Sequence, residues 1–230
     1  MNYKKEIEEN GYVIVNVFDD DILRKCREEI INYSGKTLSN ASGYSIVDFI
    51  KNNNINPLYY CSDLIKNTKL LEVLDNIFDN RSNYRFCSHN DIGVNRIVRW
   101  HKDKLNGPQY EKYQTLDLWS EHEGENHQIV KVLTYLQDHS DNNNGLRVVP
   151  GSHLIREINP KGHVVLRPKF GETIIFDQRI THNGAVSSSY SAASNTDDRI
   201  LLSFGFGKNN IFTDQFEAGT IARQNDQNKK

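Results

Sequence analysis

The sequence predicts a mainly β fold, a sandwich or barrel, with helices packed against one face. Three observations predict it. After Asp79 the chain is a succession of short β-branched and aromatic runs separated by Gly, Asn, Asp and Pro, the pattern of many short strands. Before that point apolar residues recur at helical spacing, and helices followed by strands imply two packed layers. The length, 230 residues, suits one well-buried core better than two. Residues 1–230 are therefore expected to form one domain, with its core over about 11–207 and a polar, partly disordered tail over 208–230.

The elements follow in order. Gly11 to Phe18 (GYVIVNVF) is apolar and β-branched, a strand. Asp19 to Asp21 offers N-cap chemistry, and Ile22, Leu23, Cys26, Ile30 and Ile31 place a helix over Asp20 to Tyr33. Ser34 to Asn56 reads as a long loop with one helical turn. Leu64, Leu70, Leu71, Val73, Leu74, Ile77 and Phe78 give Ser62 to Phe78 an amphipathic helical stripe. Strands are expected at Tyr84–Ser88, Val94–His101, Ile129–Asp138, Arg147–Val149, His163–Leu166, Glu172–Phe176 and Arg199–Gly205. Two long segments interrupt them: Lys104 to His127, anchored by Trp119, and the Ser/Ala/Asn-rich Ser187 to Asp198. Such loops often serve as lids or binding loops.

Composition excludes several classes. Hydrophobic residues make up 37%, charged residues 25%, and the formal net charge is −2. No field of that size gathers nucleic acid or anionic membrane. The N-terminus is charged from the start and lacks a secretory apolar stretch, and no apolar run approaches the ~20 residues that span a bilayer. Cys26, Cys61 and Cys87 are odd in number and scattered, without CxxC spacing, so they read as reduced thiols of a cytoplasmic protein.

The chemistry-bearing residues come in three pieces. His101 and Asp103 stand two apart at the end of an expected strand, so both project to one side and can supply adjacent ligands to one metal. The alternative is a surface His beside a solvated Asp. His182 follows the apolar run Gly171 to Arg179 at the start of a turn; the alternative is a His that caps the strand end. Arg199 opens the apolar strand RILLSFGFG. A buried guanidinium needs a partner, either a carboxylate-bearing ligand held in its fork or a protein carboxylate such as Asp177 or Glu172. Together they compose a two-His-one-carboxylate facial set with three open metal positions, followed by an anion anchor.

On these residues the chain resembles the phytanoyl-CoA dioxygenase family of 2-oxoglutarate oxygenases. The matching stretches run in the family's order from about Gly11 to Gly205: GYVIVNVF, RWHKD, VKVLTYLQD, NGLRVVPGSH, GETIIFDQRITHNG and RILLSF. The resemblance implies a double-stranded β-helix, jelly-roll-like core with N-terminal helices outside. It implies Fe(II) on His101, Asp103 and His182, 2-oxoglutarate on Arg199, and O2 as oxidant, the outcome being hydroxylation of an unactivated C–H bond with release of succinate and CO2. The loop between His182 and Arg199 is longer than in the family, and Arg179 is a rival anchor that precedes the His. Arg99, on the face expected for His101 and Asp103, is either a second contact to 2-oxoglutarate or an anionic substrate, or an Arg at the barrel rim. Arg99, Lys102, Lys104 and Arg147 together favour an anionic or zwitterionic small-molecule substrate. His153 belongs to the PGSH turn, mainly structural in the family. His89, His122, His127, His139 and His163 have no spacing partner and read as surface or loop residues. Competing readings are another metal-dependent cupin-type enzyme and a non-catalytic binding module on the same fold. Neither nucleic acid nor membrane is an expected partner.

Overall fold

The computed structural model describes residues 2–34, 44–47, 49–50, 58–96, 98–103, 111–140, 144–184 and 198–227. The expected loop Ser187 to Asp198 and Lys104 lie almost wholly outside them.

Helix α1 (Tyr3–Asn10), unforeseen in the charged N-terminus, is capped by the Asn2 side chain on Lys5 N–H and ended by Gly11 at φ 81°. That left-handed conformation suits glycine and turns the chain into β1 (Tyr12–Asn16). Helix α2 (Asp20–Ser34) falls where its periodicity placed it. The expected Ser62–Phe78 helix is broken into α3 (Tyr59–Asp63), a 3-10 turn and α4 (Thr68–Ile77). Asn67 makes the break by turning extended and capping Leu70 N–H.

The strands are β2 (Tyr44–Val47), β3 (Tyr84–Val94), β4 (Val98–His101), β5 (Ile129–Tyr135), β6 (Leu146–Val148), β7 (Val164–Leu166), β8 (Glu172–Asp177), β9 (His182–Gly184) and β10 (Ile200–Lys208). They form two antiparallel sheets, a six-stranded one ordered β1-β8-β5-β10-β3-β2 and a four-stranded one ordered β4-β9-β6-β7. This is the jelly-roll-like architecture that the resemblance implied. The chain leaves the large sheet for the small one at Asn95, whose positive φ of 51° is held by bonds from its amide to Asp198 and from Arg199 N–H to its side-chain oxygen. The expected single strand over Val94–His101 is therefore two strands in different sheets.

Every residue of β5 is buried because the large sheet is covered on both faces. Val130 and Val132 face a core shared with α1, α2, α4, Leu202, Phe204 and Phe206. Leu133 and Tyr135 face a second core with Ile174, Phe176 and, from the small sheet, Leu146, Val148 and Leu166.

The tail corrects the expectation most clearly. Residues 211–227 are helix α5 (Ile211–Gln227), not a disordered polar segment. Phe212 and Phe216, four apart on one helical face, are 2% and 4% exposed, and Phe216 packs on Cys87 and Ile129. Arg85 pairs with Asp214 and Glu217, and Ser88 donates to Glu217. Two apolar anchors in an otherwise polar sequence suffice once a sheet is there to receive them. Three histidines read as surface or loop residues are also buried: His89, His127 and His139 are each 2% exposed. The three cysteines are free and buried.

Candidate metal centre and co-substrate pocket

The small sheet aligns the two histidines. In the β4–β9 ladder His101 is the register partner of His182, and their ring centroids lie 4.1 Å apart. Asp103, just beyond β4, is fixed by its N–H donating to Gln178 O at 2.9 Å. Its Oδ1 is 3.3 Å from His101 Nε2 and its Oδ2 is 3.6 Å from His182 Nε2. One ligand atom from each residue lies within 4.8 Å of the others.

The second ring nitrogens decide what this cluster can do. His101 Nδ1 is 2.7 Å from Arg99 O, and His182 Nδ1 is 3.0 Å from Ile180 O. A carbonyl only accepts, so both Nδ1 atoms carry the proton and both Nε2 atoms present a lone pair toward Asp103. Two neutral imidazole nitrogens and a carboxylate oxygen converging in this way fit a divalent metal such as iron.

Electrostatics favour the ligand forms of Asp103 and His182. Burial alone pushes the Asp103 carboxyl upward, but the Lys131 ammonium at 2.9 Å and the two histidines outweigh it and hold the group well below the usual carboxylate range. Burial lowers His182 to about 4. His101 differs: burial works against its charge, but the adjacent Asp103 carboxylate outweighs it and raises the imidazole above its ordinary value, a preference that a metal ion between the two groups replaces.

The triad opens into a cavity of about 320 Å³. Strand alternation lines it: Arg199, Leu201 and Ser203 from β10 and its start, Leu133 and Lys131 from β5, His89 and Asp91 from β3. Arg199 is 1% exposed. Its Nε donates to Asn144 O at 2.7 Å, its Nη2 donates to Tyr135 OH at 2.8 Å, and the guanidinium sits 4.8 Å over the Tyr135 ring. All of these partners are neutral. Asp177 and Glu172, the protein carboxylates considered for it, are engaged elsewhere: Asp177 with Arg179 at 2.7 Å, and Glu172 with Lys169 N–H at 2.8 Å. Among the described residues no carboxylate pairs with Arg199. The same Asp177 pairing removes Arg179 as a rival anchor.

The structure does not bring Arg99 to the cavity. Its side chain is exposed, because the β4–β9 register slips between Val98 and His101 and breaks the alternation that would have put it beside His101. Arg96 lines the cavity instead. Lys102 is also not at the cavity's disposal. Its Nζ donates to Ser152 O at 2.6 Å and Arg179 O at 2.7 Å, which clamps the metal-site loop to the PGSH turn. His153 of that turn sits 3.1 Å from Glu8 O through Nε2, a structural role. Sequence reasoning missed Lys131, Tyr135, His89, Asp91, Ser203 and Arg223. The only signal was Lys131, a lone lysine inside an otherwise apolar strand.

The phytanoyl-CoA dioxygenase (PhyH) family profile matches residues 7–189. No curated protein matches the chain by sequence. Among solved structures, AviO1 from Streptomyces viridochromogenes Tue57 superposes with TM-score 0.62 at 14% identity, over 89% of this chain and 93% of that one. HygX from Streptomyces hygroscopicus, with nickel and 2-oxoglutarate bound, gives 0.62 at 15% identity over 88% and 85%. SnoN, a non-haem α-ketoglutarate-dependent epimerase from nogalamycin biosynthesis, gives 0.62 at 13% over 89% and 80%. These neighbours share the fold, and the profile covers most of the chain. The chain belongs to the phytanoyl-CoA dioxygenase family of iron- and 2-oxoglutarate-dependent oxygenases.

Proposed function

We propose that this chain is a dioxygenase that hydroxylates an unactivated C–H bond of a small molecule, with His101, Asp103 and His182 as the metal ligands and Arg199 as the anchor of 2-oxoglutarate. The observation that carries the reading is the buried Arg199 guanidinium, without a described carboxylate partner, on the wall of the cavity into which the two Nε2 atoms and Asp103 converge. A dianionic co-substrate supplies the missing countercharge.

When bound, iron(II) with 2-oxoglutarate and O2 supplies the oxidising chemistry, with succinate and CO2 as by-products; the hard chemistry is the cofactor's. The protein's own residues bind, orient and shield. The carbonyls of Arg99 and Ile180 fix both imidazole tautomers. Lys131 holds Asp103 ionised and in place. Arg199, braced by Asn144 O and Tyr135 OH, offers a preformed site for the distal carboxylate, which keeps its binding from being spent on ordering a flexible side chain. Phe176, 5.0 Å from the His182 ring, Leu133 and Leu201 line the cavity with apolar surface and limit water around the reacting centre.

The substrate is a small polar molecule, in keeping with the charged cavity wall. The whole chain serves one domain, and its three buried free thiols support a cytoplasmic setting. Among the described residues no helix is long and apolar enough to cross a membrane. The test is succinate release from 2-oxoglutarate by the iron-loaded protein, alone and with candidate substrates. Slow basal release stimulated by a substrate, and abolished in His182→Ala, supports the assignment. Tight metal binding with no 2-oxoglutarate consumption under any condition sinks it.

A further inference from the structure

Four polar groups line the cavity beside the triad and Arg199, and the proposed function gives none of them a part in holding metal or co-substrate. Strand β3 brings His89 and Asp91, β10 brings Ser203, and α5 brings Arg223. Asp91 and Ser203 are register partners in the β3–β10 ladder. Ser203 lies four residues along the strand from Arg199, roughly 13 Å at ~3.3 Å per residue. Arg223 comes from a helix outside the span that the family profile matches.

These groups touch one another loosely. Arg223 Nη2 is 3.5 Å from Asp91 Oδ2 and 3.3 Å from His89 Nδ1, and His89 Nε2 is 3.3 Å from Ser203 Oγ. Ion pairs made to fasten this chain look different: Arg81 grips Asp75 through two bonds of 2.7 and 2.9 Å, and Arg179 grips Asp177 through bonds of 3.0 and 2.7 Å. Among the described residues Asp91 Oδ1 and Arg223 Nε, both buried atoms, have no hydrogen-bond partner. A carboxylate and a guanidinium held this loosely in one cavity wall are incompletely satisfied, and a ligand that bonds the atoms each turns to the cavity offsets that cost.

We propose that Asp91 and Arg223 are the substrate-recognition pair and that the substrate is a small zwitterion, an α-amino acid in its free form. Its ammonium pairs with Asp91, its carboxylate pairs with Arg223, and Ser203 supplies a further hydrogen bond. Its aliphatic body lies over Leu133, the ladder partner of Ser203, and reaches toward Phe176 and the triad. Charge bookkeeping selects this class. A zwitterion adds no net charge to the cavity and matches each half-buried charge of its wall with the opposite one. A simple fatty acid leaves Asp91 unmatched, and a simple amine leaves Arg223 unmatched. The inference rests on the oxygenase reading, since the triad defines which end of the cavity is the reactive one.

The experiment uses the full chain loaded with Ni(II) and 2-oxoglutarate, which binds without turnover. Each of the twenty proteinogenic amino acids is titrated by calorimetry and ligand-detected NMR. The best binder is then compared with its deaminated and decarboxylated analogues. At least one amino acid binds saturably, and loss of either charged group from the ligand weakens binding tenfold or more. In Arg223→Gln the amino acid and its decarboxylated analogue bind alike; in Asp91→Asn the amino acid and its deaminated analogue bind alike. The analogue series on the unmodified protein stands by itself if a variant does not fold. The proposal is overturned if no amino acid binds, or if removing either charge from the ligand leaves affinity unchanged. It is also overturned if both variants lose thermal stability while keeping the ligand preference, because the pair then only fastens α5 to β3. The 2-oxoglutarate titration that precedes each run separates the two readings: its failure in the unmodified protein sinks the oxygenase assignment, whereas its success with no amino-acid binding sinks this proposal alone.

Discussion

His101 and His182 act as a pair because a backbone carbonyl holds each Nδ1, and Asp103 joins them because Lys131 keeps it ionised. Arg199 differs from these: its partners among the described residues are neutral, which is the basis for proposing it as the 2-oxoglutarate anchor. Charge-assisted hydrogen bonds contribute about 1.5–3 kcal/mol each, so Arg199→Met should weaken 2-oxoglutarate binding by about two orders of magnitude while leaving metal affinity within a few-fold. Calorimetric titration of metal and then 2-oxoglutarate checks both halves, and a parallel loss of metal binding would point to collapse of the site instead. The clustering of His101, Asp103 and His182 and the burial of Arg199 were legible in the sequence because each sits at a strand end, where residue type and order along the chain carry the signal. Lys131, Tyr135 and Arg223 were not. Their roles depend on which face of β5 turns toward the small sheet and on where α5 docks, and period-two alternation is invisible in a strand buried on both faces. Arg99 shows the converse: alternation was assumed, and a register slip in β4 undid it.

At the level of elements, α5 is the test of how little apolar sequence a docked helix needs. Phe212 and Phe216 carry its attachment. Burying a Phe and then truncating it costs about 3–5 kcal/mol, so Phe216→Ala should lower the denaturation midpoint substantially. A change within about 0.5 kcal/mol in a urea melt would mean that α5 is not held by this contact. Gly145 is a second sensitive position. A Cβ there would lie 2.0 Å from the Leu166 carbonyl oxygen, at the edge of the β6–β7 ladder, next to the Asn144 carbonyl that backs Arg199. Gly145→Ala should therefore cost both stability and 2-oxoglutarate affinity, measured on one sample by melting and titration. The helix and strand periods made most elements legible, but the breaks were set by local events: Asn67 turning extended, Asn95 at positive φ, Gly11 at positive φ.

For the whole molecule, the buried histidines outside the triad predict how stability follows pH. Burial lowers His89 and His127 to about 3, well under the ordinary value near 6.5. Between those values the unfolded chain binds the protons and the folded chain refuses them, so stability falls as pH drops from about 6.5 toward 3. Each histidine contributes about 1.4 kcal/mol per pH unit across that window. His127→Gln should flatten the slope of melting stability against pH by that amount; an unchanged slope would show that His127 is protonated in the folded state. At this scale the fold and the proposed site go together, two sheets closed over a cavity lined by the triad, Arg199, Asp91 and Arg223. The measurement that tests it most directly is anaerobic titration of the protein with iron(II) and 2-oxoglutarate, followed through the weak visible charge-transfer absorption of the chelate. The account predicts a band that saturates with one 2-oxoglutarate per iron, is absent from His182→Ala, and needs about a hundredfold more 2-oxoglutarate in Arg199→Ala. Absence of the band from a protein that binds zinc or manganese tightly would contradict it.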